Sequence, residues 1–302
     1  MRLTGLHILL TYQCTFECDH CFVWGSPWQS GTLTLEQIKI ILEQAKAAGV
    51  ESIYFEGGEP FLYYALLARG VEMAYGMGFS VGVVTNGYWA HTLEDALLWL
   101  EPLAGKLDDL SVSCDLFHYS EDMLHQAHNA VRAAGQLGIP VGTISVAQPE
   151  ETEAAASRGQ IGADAAVMFR GRAVEKLAPR ATKQPWDGFT ECPHEDLRDP
   201  GRAHLDPLGN LHICQGISLG NLFEKPLGQI CEEYDPDAHP ICGPLMNGGP
   251  AALVTEYNLP HTSPSGGASD YADACHLCYE ARTRLRARFP DILRPDQAYG
   301  VF

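Results

Sequence analysis

The 302-residue chain is poor in positive charge: 20 Lys and Arg stand against 38 Asp and Glu, giving a formal net charge of −18. Phosphate backbones are bound through clustered cations, so this balance argues against nucleic acid as a main partner. Long apolar runs are also missing. The N-terminus offers only the stretch Leu6–Leu10, too short for a membrane span and lacking the small-residue cleavage site of a secretory signal. A cytoplasmic protein with no membrane partner is expected. What the chain does have is 46% apolar residues, enough for a substantial core, and ten cysteines. In a reducing compartment that many thiols point to metal ligation rather than to disulfides.

Three of these cysteines fall in one short run, Cys14-Thr15-Phe16-Glu17-Cys18-Asp19-His20-Cys21. Thiolates are soft ligands suited to zinc and iron–sulfur centres. A structural zinc or a closed cluster takes four protein ligands, so three leave one position open. The C-x3-C-x2-C loop, with His20 just before its third cysteine, resembles that of the radical S-adenosylmethionine (SAM) superfamily. Gly57-Gly58-Glu59-Pro60 is similar to that family's second motif. The resemblance implies a 4Fe–4S cluster on Cys14, Cys18 and Cys21 whose free iron chelates SAM. It also implies that His20, Gly57, Gly58, Glu59 and Pro60 lie about that cofactor.

Along the first half, β-type runs at Leu6–Thr11, Glu51–Glu56, Phe79–Thr85, Leu107–Cys114, Ile139–Val146 and Ala163–Phe169 alternate with helical patterns. The helices are expected at Leu33–Ala48, Ala65–Met77, Leu93–Leu100, Glu121–Leu137 and Glu150–Arg158. Such alternation predicts an α/β fold, a parallel sheet covered by helices. Six such units resemble the partial (β/α)6 TIM-type barrel of the family.

Functional groups gather at the carboxyl ends of strands in these sheets, which makes strand-end residues the candidates. Asn86 lies in the polar turn Thr85-Asn86-Gly87. Period-two alternation places Ser111, Ser113 and Asp115 on one face and Cys114 on the other, as a small buried side chain. The Ser-x-Asp fragment resembles the ribose- and methionine-contacting strand of the family. Ile144, between Thr143 and Ser145, falls where the family packs against adenine, although the glycine-rich form of that motif is absent. His118 is a candidate to move a proton or hold substrate, with helix capping as its other reading. Arg170-Gly171-Arg172-Ala173 resembles a Gly-Arg-Ala motif of relatives carrying an extra cluster. An arginine there can clamp a carboxylate; Arg172 is the candidate, while Arg170 reads equally as a solvated surface residue. The candidate catalytic set is Asp115, His118 and Arg172.

Composition changes near residue 180, where Ala178–Trp186 reads as a linker between a barrel unit, 1–180, and a second unit, 181–302. In the second unit Cys192 precedes a hairpin pattern around Leu208-Gly209-Asn210 that ends at Cys214. Gly209 to Cys214 resembles the opening of the auxiliary-cluster domains called SPASM and twitch. With Cys275 and Cys278 these cysteines make a four-thiolate set for a second 4Fe–4S cluster. An all-thiolate zinc fits the spacing equally well; the resemblance favours iron–sulfur. No cysteine follows Cys278, which favours twitch over the two-cluster SPASM. Cys231 and Cys242 read as spare buried thiols. The Gly, Pro and Ser-rich stretch between Cys242 and Cys275 reads as a long loop, part of which is expected to close the barrel mouth over substrate. Phe289–Phe302 is expected to pack against the rest.

By this resemblance the chain is an oxidoreductase that cleaves SAM reductively to a 5'-deoxyadenosyl radical, which takes a hydrogen atom from substrate. The electron would come from a donor such as flavodoxin or ferredoxin. A fully ligated second cluster suits electron transfer, so oxidation or epimerisation of a small molecule is the first reading. A peptide or protein maturase is the alternative, and a non-catalytic iron–sulfur carrier a third. With 13 residues before Cys14, no leader-binding domain is expected ahead of the barrel, which slightly favours the small molecule.

Overall fold

Leucine and isoleucine alternate with smaller or polar residues in β1 (Leu3–Leu9), so one side of the strand is greasy and the other is mixed. Leu6 and Ile8 enter the main core, while His7 and Leu9 take the opposite face. The computed structural model describes residues 1–118, 124–150, 165–260 and 270–301. In it the pattern repeats as β1, α1 (Leu35–Ala47), β2 (Ser52–Glu56), α2 (Tyr64–Gly76), β3 (Ser80–Thr85), α3 (Leu93–Leu100), β4 (Asp109–Ser113), α4 (His125–Gln136) and β5 (Val141–Ile144). Two helix starts are fixed by reciprocal capping boxes, Thr34 with Gln37 and Thr92 with Asp95. The five strands pair in parallel in the order β5-β4-β3-β2-β1. Their outer faces, with Ile53, Phe55, Val81, Val83, Leu110 and Val112, pack under α1 to α4 and form the main core.

The sixth expected strand does not form among the described residues. Ala165 makes one parallel bridge with Val146, and the chain then leaves the ladder. Arg170 N turns back to Met168 O at 2.8 Å and Phe169 N donates to Asp273 Oδ2 at 3.1 Å, so those donors are not available to a neighbouring strand. The helix expected at Glu150–Arg158, and residues 121–123 of the helix expected at Glu121–Leu137, lie outside the described residues apart from Glu150 itself. The six-unit pattern is thus met by five strands.

Beyond Phe169 come a one-turn helix α5 (Arg172–Lys176) and a short strand β6 (Gln184–Pro185), which pairs with β10 (Asp270–Tyr271). Then β7 (Gly201–Leu205) joins the far side of β1, in parallel, and β8 (Asn210–Cys214) and β9 (Ile217–Asn221) follow antiparallel. The eight-stranded sheet therefore runs straight across the position 180 read as a boundary. The expected hairpin is β7-β8. Asp206 closes its turn by accepting from Leu208 N and Asn210 N, each at 2.9 Å.

A second core gathers α7 (Cys242–Glu256) and α8 (Ala274–Leu285) about Ile213, Ile217 and the C-terminal Leu293, Ala298 and Tyr299, so the tail packs as expected; α6 (Leu227–Glu233) joins the first core instead. The described part of the stretch read as a long loop after Cys242 is instead largely helical. α7 is broken where Gly249 adopts φ +62, and Pro250, with no N–H to satisfy, starts the next turn. A Cβ on Gly249 would lie 2.3 Å from Glu191 N, so glycine lets this kink press on the backbone just ahead of Cys192. Helix 242–256 is thus packed in the core rather than closing over a mouth; residues 261–269 lie outside the described set. No helix of the described residues is long and apolar enough to cross a membrane.

Candidate active site

β1 feeds directly into the three-cysteine loop, and the end of β2 is pressed against it. Gly58 N donates to Thr11 O at 2.7 Å and Glu59 N to Gln13 O at 2.9 Å. A side chain on Gly58 would begin 2.1 Å from Gln13 O, so only glycine allows this approach. Together Cys14, Cys18 and Cys21 line one cavity of about 310 Å³ with Gly57, Gly58, His20, Asn86, Ser113 and Ile144. Their sulfurs receive donors: Phe16 N at 3.5 Å and Asn86 Nδ2 at 3.6 Å to Cys14, and Gly25 N at 3.2 Å to Cys21. Burial pushes the Cys14 thiol up to about 12 and that of Cys18 up as well, so both keep their protons until a metal displaces them. Three soft donors, two of them (Cys14 and Cys21) already hydrogen-bonded at sulfur, fit a cluster with an open site.

The other half of the Gly57–Pro60 motif turns away from the cavity. Glu59 is fully buried; its Oε1 accepts from Phe61 N at 3.0 Å and Thr85 Oγ1 at 2.8 Å, and its Oε2 from Asn86 N at 2.7 Å. It ties the ends of β2 and β3 together, and burial lifts its carboxyl to about 7. Pro60 opens the one-turn helix Pro60–Tyr63 and is buried there. Of the four motif residues, Gly57 and Gly58 therefore remain cavity residues.

His118 reaches the cavity, with its Nδ1 donating to Asp115 Oδ1 at 2.8 Å. Asp115 lies behind it, also accepting from Phe117 N at 3.0 Å. Burial works against the charge on Asp115, but the His118 hydrogen bond, the charges of His118 and His20 and the Phe117 N–H together outweigh it and hold the carboxyl below its usual range. His20 packs 5.1 Å from the His118 ring, and burial takes its imidazole down to about 4.

Arg172, expected at the barrel mouth, does not reach the cavity. Its guanidinium is spent on Cys18 O and Gly25 O, each at 2.8 Å, and lies 5.4 Å from the Trp24 ring centre. It is a clamp on the cysteine loop. Arg170, which the sequence read equally as surface, is 8% exposed. Its NH1 donates to Glu195 Oε1 at 3.0 Å and to Cys214 Sγ at 3.6 Å, and its guanidinium lies over the Phe22 ring at 4.9 Å. Burial opposes its charge, but Cys214, Glu195 and Cys275 outweigh it and hold it charged.

Cys192, Cys214, Cys275 and Cys278 all line a second, much smaller cavity, together with Glu195, Arg282 and Arg170. Arg170 borders both cavities. Burial pushes Cys192 and Cys275 up, and Cys278 up to about 12. Four thiols about one small void, with a guanidinium at one sulfur, fit a closed metal centre. Cys242 is buried in the same core, where burial raises its thiol to about 12 with the charges of Cys214, Cys278 and Cys192 adding to it. Cys231 is buried elsewhere, in the main core. Sequence reasoning missed Phe22 and Glu56 as cavity residues; Glu56 was open to recognition, as an acid ending an apolar strand.

Residues 8–156 match the family model described as Radical SAM superfamily. An S-adenosylmethionine-dependent nucleotide dehydratase from Selenomonas ruminantium is 36% identical over 112 residues, which are 37% of this chain and 38% of that protein. A probable GTP 3',8-cyclase from Saccharolobus islandicus is 36% identical over 114 residues, 37% of this chain and 34% of that protein. The match thus spans little more than a third of the length of these curated relatives. Among solved structures, BtrN in complex with AdoMet and 2-DOIA is similar with a TM-score of 0.49 at 16% identity, covering 76% of this chain and 82% of that one.

Proposed function

We propose, from the match of residues 8–156 to the radical SAM superfamily model, that the chain is a SAM-cleaving oxidoreductase with two iron–sulfur clusters, acting on a small molecule. One cluster is assigned to Cys14, Cys18 and Cys21, and a second, twitch-like one to Cys192, Cys214, Cys275 and Cys278. When bound and reduced, the first cluster supplies the electron that splits SAM to give a 5'-deoxyadenosyl radical able to abstract a hydrogen atom. The protein's own residues position and exclude. Gly57 and Gly58 bring a backbone edge beside the three thiols, Asn86 holds Cys14, and Phe22, Val84 and Ile144 supply apolar wall. Such walls keep water from a reactive site.

The observation that carries the reading is the pair of thiol-lined cavities sharing Arg170 as a wall. A four-thiolate centre next to a substrate cavity suits removal of an electron from the substrate after hydrogen abstraction, hence oxidation; epimerisation is the redox-neutral variant. The relatives above are named for nucleotides. Among the described lining residues, however, the cavity offers Arg170 as its one arginine or lysine, already paired with Glu195, which suits an uncharged or singly charged ligand better than a triphosphate.

The test is iron and sulfide content after anaerobic reconstitution of the native chain and of a Cys14, Cys18 and Cys21 triple alanine variant. About eight irons falling to about four is the expected result. About four falling to none, with zinc retained, would make the downstream centre structural and overturn electron transfer through it. Formation of 5'-deoxyadenosine separates an enzyme from a carrier that binds SAM without cleaving it.

A further inference from the structure

The inner face of the sheet carries a polar cluster that the thiol chemistry does not use. His7 on β1 and His204 on β7 are direct register partners, and Glu56 ends the next strand, β2. Glu56 Oε2 accepts from His7 Nδ1 at 3.1 Å. Its Oε1 lies 3.3 Å from His204 Nε2, yet it is buried and receives no hydrogen bond. A buried carboxylate oxygen left without a donor is costly and calls for a missing partner such as an ion.

We propose that His7, Glu56 and His204 form a binding site for one divalent first-row cation, with open coordination positions facing the main cavity. Two imidazoles and a carboxylate are a ligand set that such ions take, and one donor atom from each residue lies within 4.8 Å of the others. Two ligand atoms about 2.1 Å from a metal, at a right angle to each other, stand about 3 Å apart. The observed 3.1 and 3.3 Å contacts are close to that spacing before any ion is added.

The donors come from three adjacent strands rather than from loops, which fixes them relative to one another. The His7 ring stacks on Tyr54 at 4.8 Å with 10° between the planes, and the His204 ring meets the edge of Phe22 at 6.3 Å. Arg170 and Arg202, whose charges reach this cluster, are ion-paired with Glu195, at 3.0 and 4.0 Å, rather than with Glu56. Glu56 lines the main cavity, where a substrate hydroxyl or carboxylate oxygen would complete the coordination sphere.

Manganese(II) is a suitable probe because it favours nitrogen and oxygen donors over thiolates. Titrating Mn²⁺ into the anaerobically reconstituted full chain, followed by electron paramagnetic resonance, should show about one ion bound per chain, with nitrogen couplings from two imidazoles. Glu56→Gln and His204→Ala should each weaken binding by about tenfold or more, since even outer-sphere changes have effects of that size. Glu233→Gln, an exposed carboxylate paired with Lys225, should leave it unchanged. Absence of saturable Mn²⁺ in the native chain, or Mn²⁺ bound without imidazole coupling, overturns the assignment. That measurement does not depend on any variant folding, and it does not depend on either cluster assignment.

Discussion

Arg172→Met removes a guanidinium while keeping much of the side chain's packing against Trp24. In the native chain that guanidinium satisfies two buried carbonyls, Cys18 O and Gly25 O, at 2.8 Å each, and is itself 4% exposed. A buried acceptor left without its donor costs about 1–3 kcal/mol, so losing both predicts about 2–6 kcal/mol. Domains of ordinary stability have about 5–15 kcal/mol in all, so the effect is a large fraction of the total. Urea unfolding of the reduced, metal-free chain measures it. Because both carbonyls belong to the loop that carries Cys18 and Cys21, the reconstituted variant should also lose iron to a chelator faster than the native chain. Arg172→Lys, able to reach one carbonyl, should recover part of both effects. A stability loss below about 1 kcal/mol with iron retention unchanged would mean that water replaces the guanidinium, and would refute the clamp.

Two further outcomes follow from the same geometry. Gly58→Ala, which must move Gln13 O away from a Cβ placed 2.1 Å from it, should destabilise by about 1–3 kcal/mol and lower first-cluster iron while sparing the second; unchanged iron at the first site would count against the close approach. His239 Nδ1 accepts from Ile241 N at 3.2 Å and Cys242 N at 3.0 Å, and burial takes its imidazole from 6.5 down to about 4. Its share of stability is therefore full above pH 6.5 and lost as pH falls towards 4, because the unfolded chain takes up the proton that the folded chain refuses. His239→Asn should flatten that part of the pH dependence of urea unfolding; an unchanged slope would show that the imidazole does not contribute.

The units from β1 to β5 were legible because their signals are local. Caps such as Thr34 with Gln37 and Thr92 with Asp95, and apolar alternation along each strand, fix element type without knowledge of neighbours. The grouping of Cys14, Cys18 and Cys21, and of Cys275 with Cys278, is local in the same way, since each set falls within one short run, whereas Cys192 and Cys214 were added to the second set through the resemblance. The side-chain directions at strand ends were not legible. Glu59 follows the turn at Gly57 and Gly58, where strand alternation no longer sets direction, so its burial beneath Asn86 could not be read. Arg170 rather than Arg172 borders the cavity, and both are buried, because the partners that decide, Cys214, Glu195 and the carbonyls of the first loop, are distant in sequence. The kinked α7 looked like a loop because Gly248, Gly249 and Pro250 are locally unfavourable to helix, and its packing on Phe189–Glu191 overrides that preference. His204 stands opposite His7 only through pairing between strands almost 200 residues apart, which no short window reports.

That pairing of β1 with β7 has a consequence for anyone recombining this chain with others. The strand that leads to Cys14 and the strand that turns through the hairpin to Cys214 are hydrogen-bonded neighbours, with His7 against His204 and Ile8 against Leu205. The two thiol sets are therefore graduations on one ruler, and their offset is counted in strand residues rather than in linker length. A one-residue slip of β7 would turn His204 outward and carry Leu205 into a polar interior. A transplanted C-terminal half must match this β1 edge as well as bring its cysteines.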